Sequence, residues 1–195
     1  MKKLTRSFYY QNGIDLSKAL LGKILVHRTD LGIIRGIITE TEAYMGISDK
    51  ASHAYKGLRS NRTEPMYHKG GTSYVYLIYG MYCCMNVVAN HTDIPEAVLL
   101  RSVLPYDEAS KRLMLQLHPV KQEKSLSNGP GKLCLAMGID RSENNQDLCA
   151  SGSDFYIADG GIKISEDQIH SGPRINIDYA EEAKEYPWRF FIPSF

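Results

Sequence analysis

The chain is poor in cysteine, and the four it has are placed for neither of the usual cysteine tasks. Cys83, Cys84, Cys134 and Cys149 form no Cys-x-x-Cys pair, and two are adjacent, which suits neither a disulfide framework nor a zinc site. They read as buried, reduced packing residues. Also missing are His-Glu-x-x-His, His-x-Glu with Pro-Cys-x-x-Cys, and any acidic cluster, so no metal centre is expected. No stretch approaches the roughly 18 consecutive apolar residues of a membrane helix. The basic start, Met1-Lys2-Lys3-Leu4-Thr5-Arg6, lacks the apolar run that would make it a secretory signal, so a cytoplasmic location is expected. Charge of one sign is lacking too: 23 Lys and Arg face 22 Asp and Glu, for a net charge of +1. A polyanionic partner would therefore have to be met by a local basic surface. With no internal repeat and 43% hydrophobic residues in 195, the composition fits one well-buried core and one domain, 1–195.

Turn residues and periodicity outline the fold. Asp15 to Gly22 has a capping aspartate, apolar residues at Leu16, Ala19 and Leu20, and a closing glycine, which predicts a short helix. Residues 23–26 and 31–44 are aliphatic and threonine-rich about Thr29-Asp30, predicting an antiparallel pair. Alternation along the second strand puts Ile38, Glu40, Glu42 and Tyr44 on one face and Ile37, Thr39, Thr41 and Ala43 on the other. The polar stretch 45–71 is long for a loop without a function. Strands are expected over 74–78 and 81–89 about a two-residue turn, Tyr79-Gly80, and over 97–103. Helices are expected over 107–117 and 131–137, the second framed by Pro130 and Gly138. A hairpin over 155–164 and a last strand over 174–177 complete a mixed α/β (α+β) single domain. It has a curved, mostly antiparallel sheet, a protruding β-hairpin and peripheral helices.

What the chain has in abundance is tyrosine, 13 in all, and much of it stands near one carboxylate. Glu42-Ala43-Tyr44 is followed by His53 and then by Tyr74-Val-Tyr76-Leu-Ile-Tyr79-Gly80-Met81-Tyr82. Flat rings hold unstacked bases, and a single carboxylate can aim a water, so the combination points to chemistry on a nucleotide. Each part also has a plainer explanation. A strand glutamate commonly pairs with a neighbouring cation, and tyrosines commonly form a half-buried sheet surface. Tyr79 resists that explanation, because a ring on a turn buries little against its own core. His53 could stack, donate a hydrogen bond or cap local structure. Lys56, Arg59, Arg62 and Lys69 could contact phosphates or simply solvate their loop. Asn128-Gly129-Pro130-Gly131-Lys132 lacks the spacing of a nucleotide-binding loop and is explained by helix capping.

In order, Glu40-Thr-Glu42-Ala-Tyr44, His53, Arg59-Ser-Asn-Arg62, Tyr74-Val-Tyr76-Leu-Ile-Tyr79-Gly-Met81, Cys84-Met-Asn86, Val98-Leu-Leu-Arg101, Asn128-Gly-Pro130 and Gly172-Pro-Arg174 resemble the alkyladenine (3-methyladenine) DNA glycosylase family. The match runs from about Leu20 to Ile192. The resemblance implies excision of damaged purines flipped out of double-stranded DNA, by a monomer that needs neither metal nor cofactor and acts on chromosomal DNA. It implies that Glu42 activates the water, helped by Arg101 and the backbone around His53. Tyr44 and His53 would lie on one face of the flipped base and Tyr76 on the other. Asn86 would oppose the amino group of guanine, and Tyr79, with Met81 beside it, would fill the gap in the duplex. Beside these, the loop cations Lys56, Arg59, Arg62 and Lys69 stand, from their charge and not from the resemblance, as candidates for the DNA backbone. One carboxylate suffices, where ordinary glycosidases use two, because a purine alkylated on a ring nitrogen is already cationic and leaves as a neutral base.

Three departures from the family pattern stand out. In His68-Lys69-Gly70-Gly71 the family's usual proline before the last glycine is missing, which predicts a more flexible hairpin base; the loop 89–96 is slightly longer than in the mammalian members; and Asn176 takes the place of a common glycine. Two other functions fit part of the pattern: a protein that flips lesions without cleaving, and a glycosylase with lyase activity through an amine such as Lys69.

Overall fold

The computed structural model describes residues 1–193. Its sheet is antiparallel in every pairing among those residues. The strands are β1 (Lys2–Lys3), β2 (Ile24–Thr29), β3 (Gly32–Tyr44), β4 (Ser73–Ile78), β5 (Tyr82–Val88), β6 (Ala97–Pro105), β7 (Phe155–Asp159), β8 (His170–Gly172) and β9 (Arg189–Phe191). They run in the order β1-β7-β2-β3-β6-β5-β4, and β9, paired with β8, extends the β3 edge beyond β2. The helices are α1 (Arg6–Tyr9), α2 (Gly13–Leu20), α3 (Glu108–Leu117) and α4 (Pro130–Met137). The result is the mixed α/β domain with a curled antiparallel sheet that the pattern of elements predicts.

Local chemistry sets most boundaries. Asn12, and not Asp15, caps α2: its side chain accepts the Asp15 amide at 2.9 Å, which starts the helix at Gly13. Asp107 caps α3 through the Ser110 amide, and α4 starts at a proline and ends at Gly138 in the left-handed conformation. The two strands expected near the C-terminus fail. Residues 162–164 make no strand, because β7 spends both its edges on β1 and β2. Residues 174–177 are irregular, and the segment pairs instead through β8 and β9.

The hairpin β4–β5 forms, but the ladder closes on Ile78 and Tyr82, so the tip holds Tyr79, Gly80 and Met81. The Met81 amide donates to the Ile78 carbonyl, and φ is positive at both Tyr79 and Gly80. The glycine pair at the hairpin base does not loosen it. Gly70 and Gly71 amides donate to the Asn90 and Val88 carbonyls at 2.9 and 2.8 Å, and a Cβ on Gly70 would meet backbone oxygens at 2.6 and 2.7 Å. Only glycine allows that approach.

Paired bulges decide which face each residue serves. Register shifts leave Thr39 extra on β3 and Arg101 extra on β6. Before them, Ile34 and Ile38 face the main core with Leu16, Leu20, Met114 and Leu133. After them, Thr41 and Ala43 take that side, Thr41 donating to the Ser17 carbonyl of α2. Glu40, Glu42 and Tyr44 therefore share a face, as alternation predicts, but Ile38 lies on the opposite one. On β6 the same device sends Leu100 and Val103 into the core, while Arg101 stays with Leu99 on the face of Glu42. The helices cover one face of the sheet, and residues 45–71 with the C-terminal segment cover the other.

Candidate active site

On the face away from the helices, neighbouring strands converge by simple alternation. Tyr74, Tyr76 and Ile78 come from β4, Cys84 and Asn86 from β5, Leu99 and Arg101 from β6, and Tyr44 from β3. Residues of the 45–71 loop, notably His53 and Arg62, roof the space, and Ile175, Asn176 and Tyr179 wall it from the C-terminal side. The cavity, open on one side, has a volume of about 240 Å³. That is enough for a flat bicyclic ligand.

Glu42 lies directly behind this wall, with 0% exposure. Its Oε1 accepts the Ile175 amide at 2.8 Å and faces Arg101 Nη1 at 3.3 Å, and its Oε2 accepts the Tyr44 hydroxyl at 3.0 Å. All three donors border the cavity. A carboxylate oxygen can take two hydrogen bonds; Oε1 accepts one, from the Ile175 amide, and faces the Arg101 cation, while Oε2 accepts one, from Tyr44, and keeps a second position. Burial pushes the carboxyl above its ordinary value of 4.5, while Arg101, the Ile175 amide and the Tyr44 hydroxyl pull it back.

His53 does not touch Glu42; the backbone group on that carboxylate belongs to Ile175. Instead, His53 Nδ1 pairs with the Tyr74 hydroxyl at 2.9 Å, and its ring stands edge-on to Tyr76, with centroids 4.7 Å apart. Burial, with help from Arg62, lowers its pKa to about 4, so the ring is neutral at physiological pH and keeps Nε2 for a ligand. His53 thus groups with Tyr74 and Tyr76. Tyr44 belongs to a separate stack, the Arg174 guanidinium lying 4.8 Å from its ring and 5.0 Å from that of Trp188. Asn86 is buried, its amide nitrogen donating to the Tyr74 carbonyl at 3.1 Å. Cys84 contributes a neutral thiol, pushed by burial to about 11.

The hairpin tip stands at the mouth: Tyr79 is 77% exposed and Met81 67%. Of the loop cations, Arg59 is neutralised by a two-point pair with Glu64 and a bond to Asp93, and Lys69 lies 3.3 Å from Asp147. Among the described residues, Lys56 and Arg62 make no ion pair within 4.0 Å. Arg62 borders the cavity and lies 5.3 Å from the Tyr76 ring.

Several residues here escape sequence reasoning. The Ile175 amide carries no side-chain signal at all. Asp49 and Arg174 form a fully buried two-point pair at 2.6 and 2.8 Å, linking the loop to the C-terminal segment. Tyr179 sits at the cavity mouth with its hydroxyl 3.4 Å from the Ala51 carbonyl. The one available signal was Gly172-Pro-Arg174, since an arginine fixed after Gly-Pro invites a search for a buried partner. Asn176 has φ +61, a conformation that suits glycine and asparagine alike, which accounts for its place in the pattern.

A family model described as methylpurine-DNA glycosylase matches residues 7–194. A protein of Clostridium novyi (strain NT) named "Putative 3-methyladenine DNA glycosylase" is 47% identical over 98% of this chain and 96% of its own. Proteins of the same name from Clostridioides difficile (strain 630) and Desulfitobacterium hafniense (strain Y51) are 45% and 44% identical, across 97% and 98% of this chain and 100% and 96% of theirs.

Proposed function

The chain belongs to the methylpurine-DNA glycosylase family, and from that premise we propose that it flips alkylated purines out of duplex DNA and hydrolyses their N-glycosidic bond with a water held on Glu42. The observation that carries this reading is the buried Glu42 carboxylate behind an aromatic cavity, with one acceptor position left on Oε2. Water bound there loses a proton to the carboxylate as it attacks the sugar carbon. The base leaves with the bonding electrons. When that base is alkylated on a ring nitrogen it carries a positive charge, so departure yields a neutral molecule and requires no acid. Arg101 opposes the rise that burial imposes on the Glu42 carboxyl and so favours its ionised form.

The rings supply selection. Tyr76 with His53, and Tyr44 on its arginine stack, bound a slot in which an electron-poor purine gains about 0.5 to 2 kcal/mol per cation–aromatic contact. Tyr79 would occupy the vacated place in the stack and Met81 would rest against the groove, recovering part of the few kcal/mol that flipping costs. Arg62, beside the mouth and without a carboxylate partner, is the best placed of the loop cations for a phosphate, whereas Arg59 and Lys69 would first have to leave their acidic partners.

The test is incubation of purified protein with methylated duplex DNA. Release of free 3-methyladenine and alkali-labile abasic sites is expected, without strand cleavage and without a borohydride-trapped adduct. Intact DNA after incubation with protein that binds the lesion would instead identify a flipping protein that does not cleave.

Asn86 carries a second expectation. Its amide nitrogen is committed to the Tyr74 carbonyl, so it opposes a guanine amino group by filling space. Asn86→Ala should raise release of undamaged guanine and leave 3-methyladenine release within a few-fold of wild type. Unchanged guanine release would remove Asn86 from the discrimination.

A further inference from the structure

Behind Glu42 runs a line of alternating charge of which the chemistry above uses only Arg101. Arg189 Nη1 donates to Glu40 Oε1 at 2.9 Å; Arg101 Nε approaches the same oxygen at 3.2 Å; Arg101 Nη1 then lies 3.3 Å from Glu42 Oε1. Arg189 is itself held by the Pro173 carbonyl at 2.9 Å. The paired bulges bring Glu40, Glu42 and Arg101 to one face, and the register of β9 sets Arg189 opposite Glu42. Arg101 thus divides one guanidinium between two carboxylates.

We infer that Glu40 is a positioning residue for the hydrolysis proposed above: by holding Arg101 through Nε, it aims Nη1 at Glu42 while limiting how much of the arginine's charge Glu42 receives. Both effects matter to a base. An arginine given wholly to Glu42 would stabilise its ionised form and weaken its pull on the water's proton. An arginine lost altogether would leave burial unopposed by its nearest cation and disfavour the ionised form that a base requires. The ionisable groups facing Glu42 are Arg101 from β6, Cys84 from β5, Glu40 and Tyr44 from its own strand, Tyr179 from the C-terminal segment and Arg189 from β9. Of these, Glu40 alone is a second carboxylate on Arg101.

The inference rests on the glycosylase reading, and one experiment separates the two. Single-turnover excision of 7-methylguanine is followed against pH for wild type, Glu40→Gln and Arg189→Met. With a cationic base the acid limb reports Glu42, since the leaving group needs no proton. Glu40→Gln keeps an acceptor oxygen but gives up the charge, so its acid limb should move down by about one pH unit. Arg189→Met leaves Glu40 less neutralised, so its limb should move up. Lesion-DNA affinity should stay within about two-fold in both. Acid limbs that coincide with wild type, or that move in the same direction, overturn the positioning role even if activity falls. If Glu40→Gln fails to fold, a downward or absent shift in Arg189→Met still refutes it. Absence of excision by the wild type would refute the glycosylase reading itself.

Discussion

Glu42→Gln should lose excision of 3-methyladenine by at least the 10²- to 10⁴-fold that a general base contributes, and should still bind lesion-containing duplex. The amide has nearly the shape of the carboxylate and leaves Tyr44, Tyr76, Asn86 and the hairpin tip in place. It has no capacity to take the proton of a water. The variant should also be at least as stable as wild type, and the sign follows from burial. The Glu42 carboxyl has its pKa raised above 4.5 in the folded chain, with desolvation the largest cause. Such a group favours folding at low pH, where it is protonated, and that contribution is lost as pH rises through the folded value. Wherever it is ionised, the buried carboxylate therefore burdens the fold, and removing its charge should not lower Tm. Excision assays, lesion-DNA binding and thermal melting decide together. Undiminished excision would dismiss Glu42 as the base, whereas lost binding or a collapsed Tm would make it a structural carboxylate.

The burden itself separates what the sequence makes legible from what it hides. Strand alternation correctly puts Glu42 and Tyr44 on one face, and the same period-two geometry on β4 and β5 brings Tyr74 to the cavity beside Tyr76, and Cys84 beside Asn86. It fails at Ile38, because a bulge at Thr39 inverts the parity that follows, and nothing in Ile38-Thr39-Glu40 announces a bulge. Without that inversion Glu42 would point into Leu16 and Leu20. A fully buried carboxylate at the same parity as Ile34 and Ile38 of the core is thus itself a bulge signal, recognisable once the core is known. The C-terminal third was hardest to foresee for a different reason. Arg174 to Ile177 has strand-like composition, yet its backbone is spent on the site: the Ile175 amide on Glu42, Asn176 in the left-handed region, the Arg174 side chain on Asp49. Long-range pairings of this kind have no local pattern. The loop cations were legible only as charges; which of them are cancelled depends on Glu64, Asp93 and Asp147, set by the fold.

Arg174→Met should destabilise the protein by about 3 to 5 kcal/mol, the usual result of removing one partner from a buried ion pair. For a chain of this size that corresponds to a Tm lower by roughly 6 to 20 °C. The two-point pair with Asp49 is only part of the role. Arg174 also donates to the Ala43 carbonyl at 2.9 Å and the Ala183 carbonyl at 3.2 Å, joining β3, the following loop and the C-terminal segment at one guanidinium. Its loss leaves Asp49 charged and buried, although the Met45 and Ala51 amides still bond to it. Methionine refills much of the volume and meets the Tyr44 and Trp188 rings, so the deficit measured is chiefly electrostatic. Arg174→Lys should recover little, because a lysine ammonium cannot span both Asp49 oxygens while reaching two carbonyls. The double variant Arg174→Met with Asp49→Leu should be more stable than Arg174→Met alone, since it removes the stranded charge along with its partner. Tyr44 is stacked on this guanidinium, so excision by Arg174→Met, measured well below its Tm, should suffer first in substrate affinity, with the chemical step at saturation closer to wild type. A loss of stability below about 1 kcal/mol in urea titration would show that the pair is replaceable, and would leave Tyr44 positioned by its hydroxyl bond to Glu42 alone.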